Sequence, residues 1–360
     1  MRKIPNLDSI RSIAFLTVFM AHAFSAKTEA VLNNPVFKGV IQFREILSFG
    51  VPVFFVLSGF LISYLMLKEQ SVNNKFSVKN FYIRRVLRIW PLYYLVIIFG
   101  FVVFPMIRTL VLNEPTIENA NPINYLIFLS NFDQIWNQQL PFGVGLGPTW
   151  SVSVEEQYYL LWPLLFVIFK KRLFIIPIIL IIMTSTILTY HYGLLNQHTI
   201  LCFIYLSNGA LFAYLAFYYN EKLQKTFKSS GLFVIITAVV IALMYLSTVF
   251  GNNTLIIFSI AFLLGYVVYF QSFIQKLELR KIPVLEWLGK YTYGLYLYHS
   301  ICIFLISIVI YDVFQINESL FVVIILVPVL SLLLSVSIGY MSYHYIESWF
   351  LKLKTKFSRL

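Results

Sequence analysis

The most chemically loaded stretch of the chain is DSIRSIAFLTVFMAHAF, Asp8–Phe24. It is apolar enough for a membrane helix, yet it holds Arg11 near its start and His22 near its end. Eleven residues of α-helix make ~1100° of rotation, three turns plus about 20°, and ~16 Å of rise. Both side chains therefore share one face at two depths. An imidazole there can serve as a general base, and a guanidinium can hold an anion. Ionisable groups inside a bilayer are costly and mark a pathway or a site. The plainer alternative is an Arg that reaches the headgroups and a His that bonds a neighbouring helix.

Three more polar constellations interrupt the apolar pattern. In FYIRRVLRIWPLYYL, Phe81–Leu95, the spacing of Arg84, Arg85 and Arg88 turns all three to one side of a helix start, and Pro91 fits an early helical turn. Such guanidiniums can clamp phosphates bidentately; ordinary charge anchoring at a membrane boundary is the alternative. In PTWSVSVEEQYYLLWP, Gly143, Gly145, Gly147 and Pro148 lead into a helix beginning near Ser151 or Ser153. Ser153 with Glu156 fits a capping box. Glu155 is then left over, above Tyr159 and Trp162 and at about the depth of His22, where a carboxylate would orient an imidazole and stabilise its protonated form. In WLGKYTYGLYLYHS, His299 falls about eight residues into a helix lined with Tyr291, Tyr293, Tyr296 and Tyr298, a place that suits a hydrogen-bonded core His or a catalytic one. Gly50, Ser58 and Gly59 allow close helix contact. His344 and Glu347 close the last apolar run at an interface. No GxSxG, phosphate loop, CxxC or HExxH is present, which weighs against a serine hydrolase, an NTPase or a zinc peptidase, and no metal is expected.

These residues need elements to hold them, and composition says which. With 59% apolar residues, 12% charged residues and a mean hydropathy of +0.81, the 360-residue chain reads as an all-α polytopic membrane protein. Its polar stretches are too short to bury cores of their own, so residues 1–360 form one domain. About ten runs reach spanning length: Ile10–Ala26, Ile46–Leu67, Ile89–Ile107, Val154–Phe169, Leu173–Tyr190, Ile200–Tyr219, Leu232–Phe250, Leu255–Phe270, Tyr291–Tyr311 and Leu320–Tyr343. Asn124–Phe132 is too short to span and reads as a re-entrant or surface helix. If the N-terminus is cytoplasmic and the spans alternate, all of the 27 Lys and Arg except Lys27, Lys38, Arg44 and Arg108 fall on the cytoplasmic side. That asymmetry favours an even number of spans with both termini cytoplasmic in a plasma (inner) membrane. It also assigns the net charge of +12 to anionic lipid rather than nucleic acid. Met1–Ala26 has the charge pattern of a signal peptide, but Arg11 and His22 interrupt it and further spans follow, so it reads as a retained helix. Cys202 and Cys302 lie within apolar runs and read as reduced packing residues.

Taken in order, Arg-x10-His, FFVLSGFLI, RRVLRIWP, TWSVSVEEQYYLLWP and WLGKYTYGLYLYH resemble the membrane-bound acyltransferase family 3 over the whole chain. That resemblance implies transfer of an acyl group, often acetyl, to cell-surface polysaccharide, lipopolysaccharide, peptidoglycan or another acceptor. It implies essential roles for Arg11 and His22, an R-x-x-R motif at Arg85 and Arg88, and a W-S-x-x-x-E motif at Trp150, Ser151 and Glu155. Some members carry a soluble SGNH esterase-like domain after the membrane part. This sequence ends at Leu360 without one, so transfer is expected to be completed by the membrane domain or by a separate extracytoplasmic partner.

Residues and resemblance combine in one expectation. Acyl-CoA, whose extended pantetheine arm suits the Arg11–His22 rise of ~16 Å, is expected to enter from the cytoplasm with its phosphates on Arg84, Arg85 and Arg88, joined by Arg11. His22 takes the proton of an acceptor hydroxyl on a glycan or lipid-linked sugar, and Glu155 stabilises the imidazolium; an acyl-His intermediate is the variant. Glu156 and His299 support the site. Two other classes remain open: a transporter of a polysaccharide or lipid-linked sugar, and a structural subunit whose partner performs the chemistry.

Overall fold

The computed structural model describes residues 4–111, 118–226, 230–251, 253–274, 278–316 and 318–357, and every regular element among them is helical. Arg2, Lys3, Lys228, Lys276 and Arg359, counted above among the basic flanks, lie outside the described residues. In lipid a crossing segment must close its own backbone hydrogen bonds, so apolar runs of this length fold as helices.

Among the described residues, eight helices are long and apolar enough to cross a membrane. They are α2 (Gly50–Asn73), α3 (Val78–Leu110), α5 (Ile175–Tyr192), α6 (Thr199–Thr226), α7 (Gly231–Phe250), α8 (Thr254–Phe273), α9 (Thr292–Val313) and α10 (Val322–Thr355). The other two expected crossings, α1 (Leu7–Ala23) and α4 (Thr149–Leu173), fall short of that standard. Helix α1 has 17 residues, about 25 Å of rise. Helix α4 carries Glu155 and Glu156 at one end and Lys170, Lys171 and Arg172 at the other. The two least lipid-like helices are those that bring the polar motifs. Both are held by protein: α1 packs on α2 and α9, and α4 on α2 and α3.

Several local expectations change. Helix α3 starts at Val78, where Ser77 Oγ accepts the Asn80 N–H at 3.3 Å, and not near Ile89. Burial of Phe81, Ile89, Leu92 and Tyr93 along one side sustains the helix through Pro91, which is interior and deprives the Leu87 carbonyl of its usual partner. Arg84, Arg85 and Arg88 therefore stand within the helix rather than at its first turn. Helix α4 starts at Thr149, whose hydroxyl donates to the Leu146 carbonyl at 2.6 Å, so Ser153 and Glu156 form no capping box. Ser153 instead shares a 2.7 Å hydrogen bond with Ser130. The stretch Asn124–Phe132 is not one helix: it takes in the end of Pro122–Leu126, a turn over 127–129 and the start of Ser130–Asn137, with Asp133 of the second helix accepting from Asn124 of the first at 2.7 Å. Finally, a π-helical turn at Tyr343–Glu347 rotates the end of α10. His344 stays exposed, but Glu347 is turned inward and is only 9% exposed, not interfacial.

Helices α2 and α6 form the closest seam of the bundle. A Cβ on Gly59 would stand 1.9 Å from the Leu206 carbonyl oxygen, and one on Gly209 2.1 Å from that of Val56. Backbones this near exclude any side chain, the use to which small residues are put in membrane helix packing. Gly59→Val or Gly209→Val is expected to destabilise the detergent-solubilised protein by about 1–3 kcal/mol or prevent its folding. Gly39→Ala, which would meet nothing within 4 Å, should leave the thermal midpoint unchanged. Equal midpoints for all three would contradict the seam.

Candidate active site

Helices α1, α2, α3, α4 and α9 line a partly open cavity of about 110 Å³. Arg11 enters it from α1, Ser58 from α2, Arg85 and Arg88 from α3, Glu155 and Tyr159 from α4, and Tyr293 and Tyr296 from α9. Its remaining walls are largely apolar, among them Val51, Phe54, Leu57, Leu61 and Ile89. Polar groups converging on a concave space between helices are the usual form of a ligand site.

The cations are not equivalent. Arg11 donates to Asp8, one turn earlier on α1, at 2.9 Å. Arg84 is bound on both sides, by Glu69 at 2.8 Å and by the Phe357 carbonyl at 2.8 Å, and it does not line the cavity. Arg85 lies over the rings of Phe81 and Tyr159, 5.5 and 5.4 Å from their centroids, and its Nε is buried without a hydrogen-bond partner. Arg88 has no hydrogen bond or ion pair among the described residues and also faces the cavity. Two guanidiniums aimed into a largely apolar space, one with an unmet donor, fit an anionic group of a ligand.

The carboxylates also divide. Glu155 Oε2 accepts the Tyr159 hydroxyl at 2.6 Å, and that hydroxyl in turn meets Ser58 Oγ at 2.5 Å. Glu156 lies outside the cavity, its Oε2 accepting the Trp90 indole N–H at 3.0 Å. Trp150 is likewise outside, edge-on to Phe55 at 5.9 Å. Ser151 lines the cavity and shares a 2.7 Å hydrogen bond with the Tyr296 hydroxyl.

The expected pairing of Glu155 with His22 is not found. The loop into α4 dips into the bundle: Leu146 is fully buried, and a Cβ on Gly145 would meet Ile301 of α9 at 3.0 Å. Helix α4 thus begins below the surface, with Ser151 against Tyr296. One turn further on, Glu155 shares the cavity with Arg85, Arg88 and Arg11. No hydrogen bond joins it to His22 among the described residues. The partner of His22 is His299, with ring centroids 5.1 Å apart.

Both histidines have their tautomers set by backbone. His22 Nδ1 lies 2.8 Å from the Val18 carbonyl, and His299 Nδ1 lies 2.5 Å from that of Tyr296. A carbonyl can only accept, so each neutral ring carries its proton on Nδ1 and presents a lone pair at Nε2. His299 is fully buried, with that Nε2 unpartnered, whereas His22 is exposed at the end of α1. The cavity stops at Ser151 and Tyr296; His299 and His22 continue the polar line beyond it.

Sequence reasoning read Ser58 only as a packing residue, and left Tyr293 and Tyr296 between the lining of a polar cleft and an aromatic belt; it did not join them with Tyr159 in one site. The signals were present, a serine within an apolar run and tyrosines at helical spacing, but each also fits plain packing. It missed Glu347 as well, because a π turn leaves no mark in residue spacing.

A family model described as an acyltransferase domain, that of acyltransferase family 3, matches residues 4–340. A peptidoglycan O-acetyltransferase of Listeria monocytogenes is 30% identical over 175 residues, 47% of this chain and 25% of that protein. A Staphylococcus aureus protein assigned by name as an O-acetyltransferase is 29% identical over 328 residues, 83% of this chain and 50% of its own length. A Bacillus subtilis protein assigned by name as a peptidoglycan O-acetyltransferase is 32% identical over 173 residues, 46% of this chain and 24% of its own. The chain thus spans half the length or less of these curated relatives. No solved structure matches it. With the match covering nearly its whole length, the chain belongs to the acyltransferase 3 family of membrane proteins.

Proposed function

We propose that this chain transfers an acyl group, acetyl by likeness to its relatives, from acyl-CoA to a hydroxyl of a cell-wall glycan or its lipid-linked precursor. The observation that carries the reading is a polar line through the bundle. It begins at Arg85 and Arg88, passes Arg11 and Glu155 in the cavity, and ends at His299 and His22.

The donor's phosphates would rest on Arg85 and Arg88 at the arginine end, taken as cytoplasmic because that compartment holds acyl-CoA. The pantetheine arm would run along the α1 face toward His22. His22 Nε2 accepts the proton of the acceptor hydroxyl as its oxygen bonds to the thioester carbon. The tetrahedral oxyanion then collapses, the carbon–sulfur bond breaks, and the imidazolium returns its proton to the departing thiolate. Glu155, held by Tyr159 and Ser58, serves in this scheme to balance Arg85 and Arg88 rather than to touch the imidazole. Arg11, neutralised by Asp8, marks the passage between the two ends.

Acetyl transfer by membranes holding the His22→Gln variant is expected to fall at least about 100-fold, with CoA binding kept within threefold. Full activity would remove His22 from the reaction. Because Tyr296 closes the cavity toward His299, the donor arm must displace its ring. Tyr296→Trp should therefore cut transfer more than tenfold while leaving CoA affinity within threefold; unchanged transfer would place the arm's route elsewhere. Release of free CoA from labelled acyl-CoA separates this reading from a transporter, which moves a glycan without that product.

A further inference from the structure

The last helix returns to the arginine end. Its π turn carries Glu347 inward beneath α9, where a Cβ on Gly294 would lie 3.0 Å from Glu347 Oε1, and Arg88 is the charged group that bears on this carboxylate. Ten residues later, the Phe357 carbonyl accepts from Arg84. The Arg84–Phe357 hydrogen bond fixes the register of α10 against α3, and places Glu347 within electrostatic range of Arg88.

Lys354 falls between Glu347 and Phe357. It is seven residues after Glu347, about 700° of helix and within ~20° of the same face. It is half-buried, on a segment (Ser348–Thr355) that packs against α3, and within electrostatic range of Arg88, Arg85, Arg84 and Arg11. No carboxylate pairs with it among the described residues. A partly desolvated ammonium facing guanidiniums without an anion of its own is unfavourable unless a ligand supplies the negative charge. Arg84 cannot play that part alone, being already neutralised by Glu69.

We propose that Lys354 is a phosphate ligand, acting with Arg85 and Arg88 in the position first expected of Arg84, so that the final helix is a wall of the donor site. The assignment rests on the acyl-CoA reading for the source of the phosphate; the recognised chemistry is a phosphate ester. A compact, strongly charged ammonium supplies a point contact beside two planar forks, a combination suited to a ligand with several phosphate groups.

The test uses the full chain in nanodiscs of zwitterionic lipid with CoA as the probe. Lys354→Ala is expected to weaken CoA binding about tenfold, the loss of one charge-assisted contact. Lys354→Arg should restore affinity to within threefold, and Lys356→Ala, at an exposed neighbouring position, should not change it. Equal affinity for Lys354→Ala and wild type would overturn the assignment. If the wild-type chain binds no CoA, the donor reading itself fails, and the lysine is then judged by native mass spectrometry in anionic lipid. Retained phosphatidylglycerol lost in Lys354→Ala would support a lipid phosphate at the site, and retention by both proteins would overturn it.

Discussion

A guanidinium within a bilayer must be matched by charge, by hydrogen bonds or by an aromatic face, and the interior of this bundle is arranged around that requirement. Asp8 answers Arg11, Glu69 answers Arg84, and the rings of Phe81 and Tyr159 cover Arg85. Glu155 shares the cavity with the guanidiniums of Arg11, Arg85 and Arg88 and is itself tied to Tyr159 and Ser58. Removing one member would leave a charge without its counterpart in a low-dielectric setting, which is why the helices bearing them lie inside the bundle.

The two helices least able to cross lipid unaided are α1 and α4, and they supply Arg11, His22, Ser151 and Glu155. Their neighbours supply the apolar surface that these helices lack. The close backbone seam between α2 and α6 and the inward loop before α4 are two further consequences. One brings Ser58 to the cavity wall beside Tyr159; the other lowers Glu155 to the level of the arginines.

The all-helical membrane fold was legible because hydropathy reports it directly, and so was the placing of Arg11 and His22 on one helix, although only Arg11 lines the cavity. The depth of Glu155 was not. It depends on where Gly143–Pro148 sits against α9, a tertiary contact with no trace in periodicity. The same holds for Arg84, whose spacing matches that of Arg88 but whose partner, Glu69, comes from a different helix. The inward turn of Glu347 depends on a π turn, which residue types around it do not announce. Helix α3 was misread at its start because Pro91 resembles a first-turn residue, and only the burial of Phe81 and Ile89 shows why the helix runs through it.

That the donor lies along the polar groups running from the arginines past Tyr296 and His299 to His22 is the proposal on which the mechanism rests. It is tested most directly by an experimentally determined structure of the chain with a non-reactive thioether analogue of acetyl-CoA. The acyl carbon is expected within about 3.5 Å of the place an acceptor oxygen would occupy beside His22 Nε2, with the phosphates at Arg85 and Arg88. An analogue bound with its phosphates at the His22 end, or with its acyl group held outside the bundle, would contradict it.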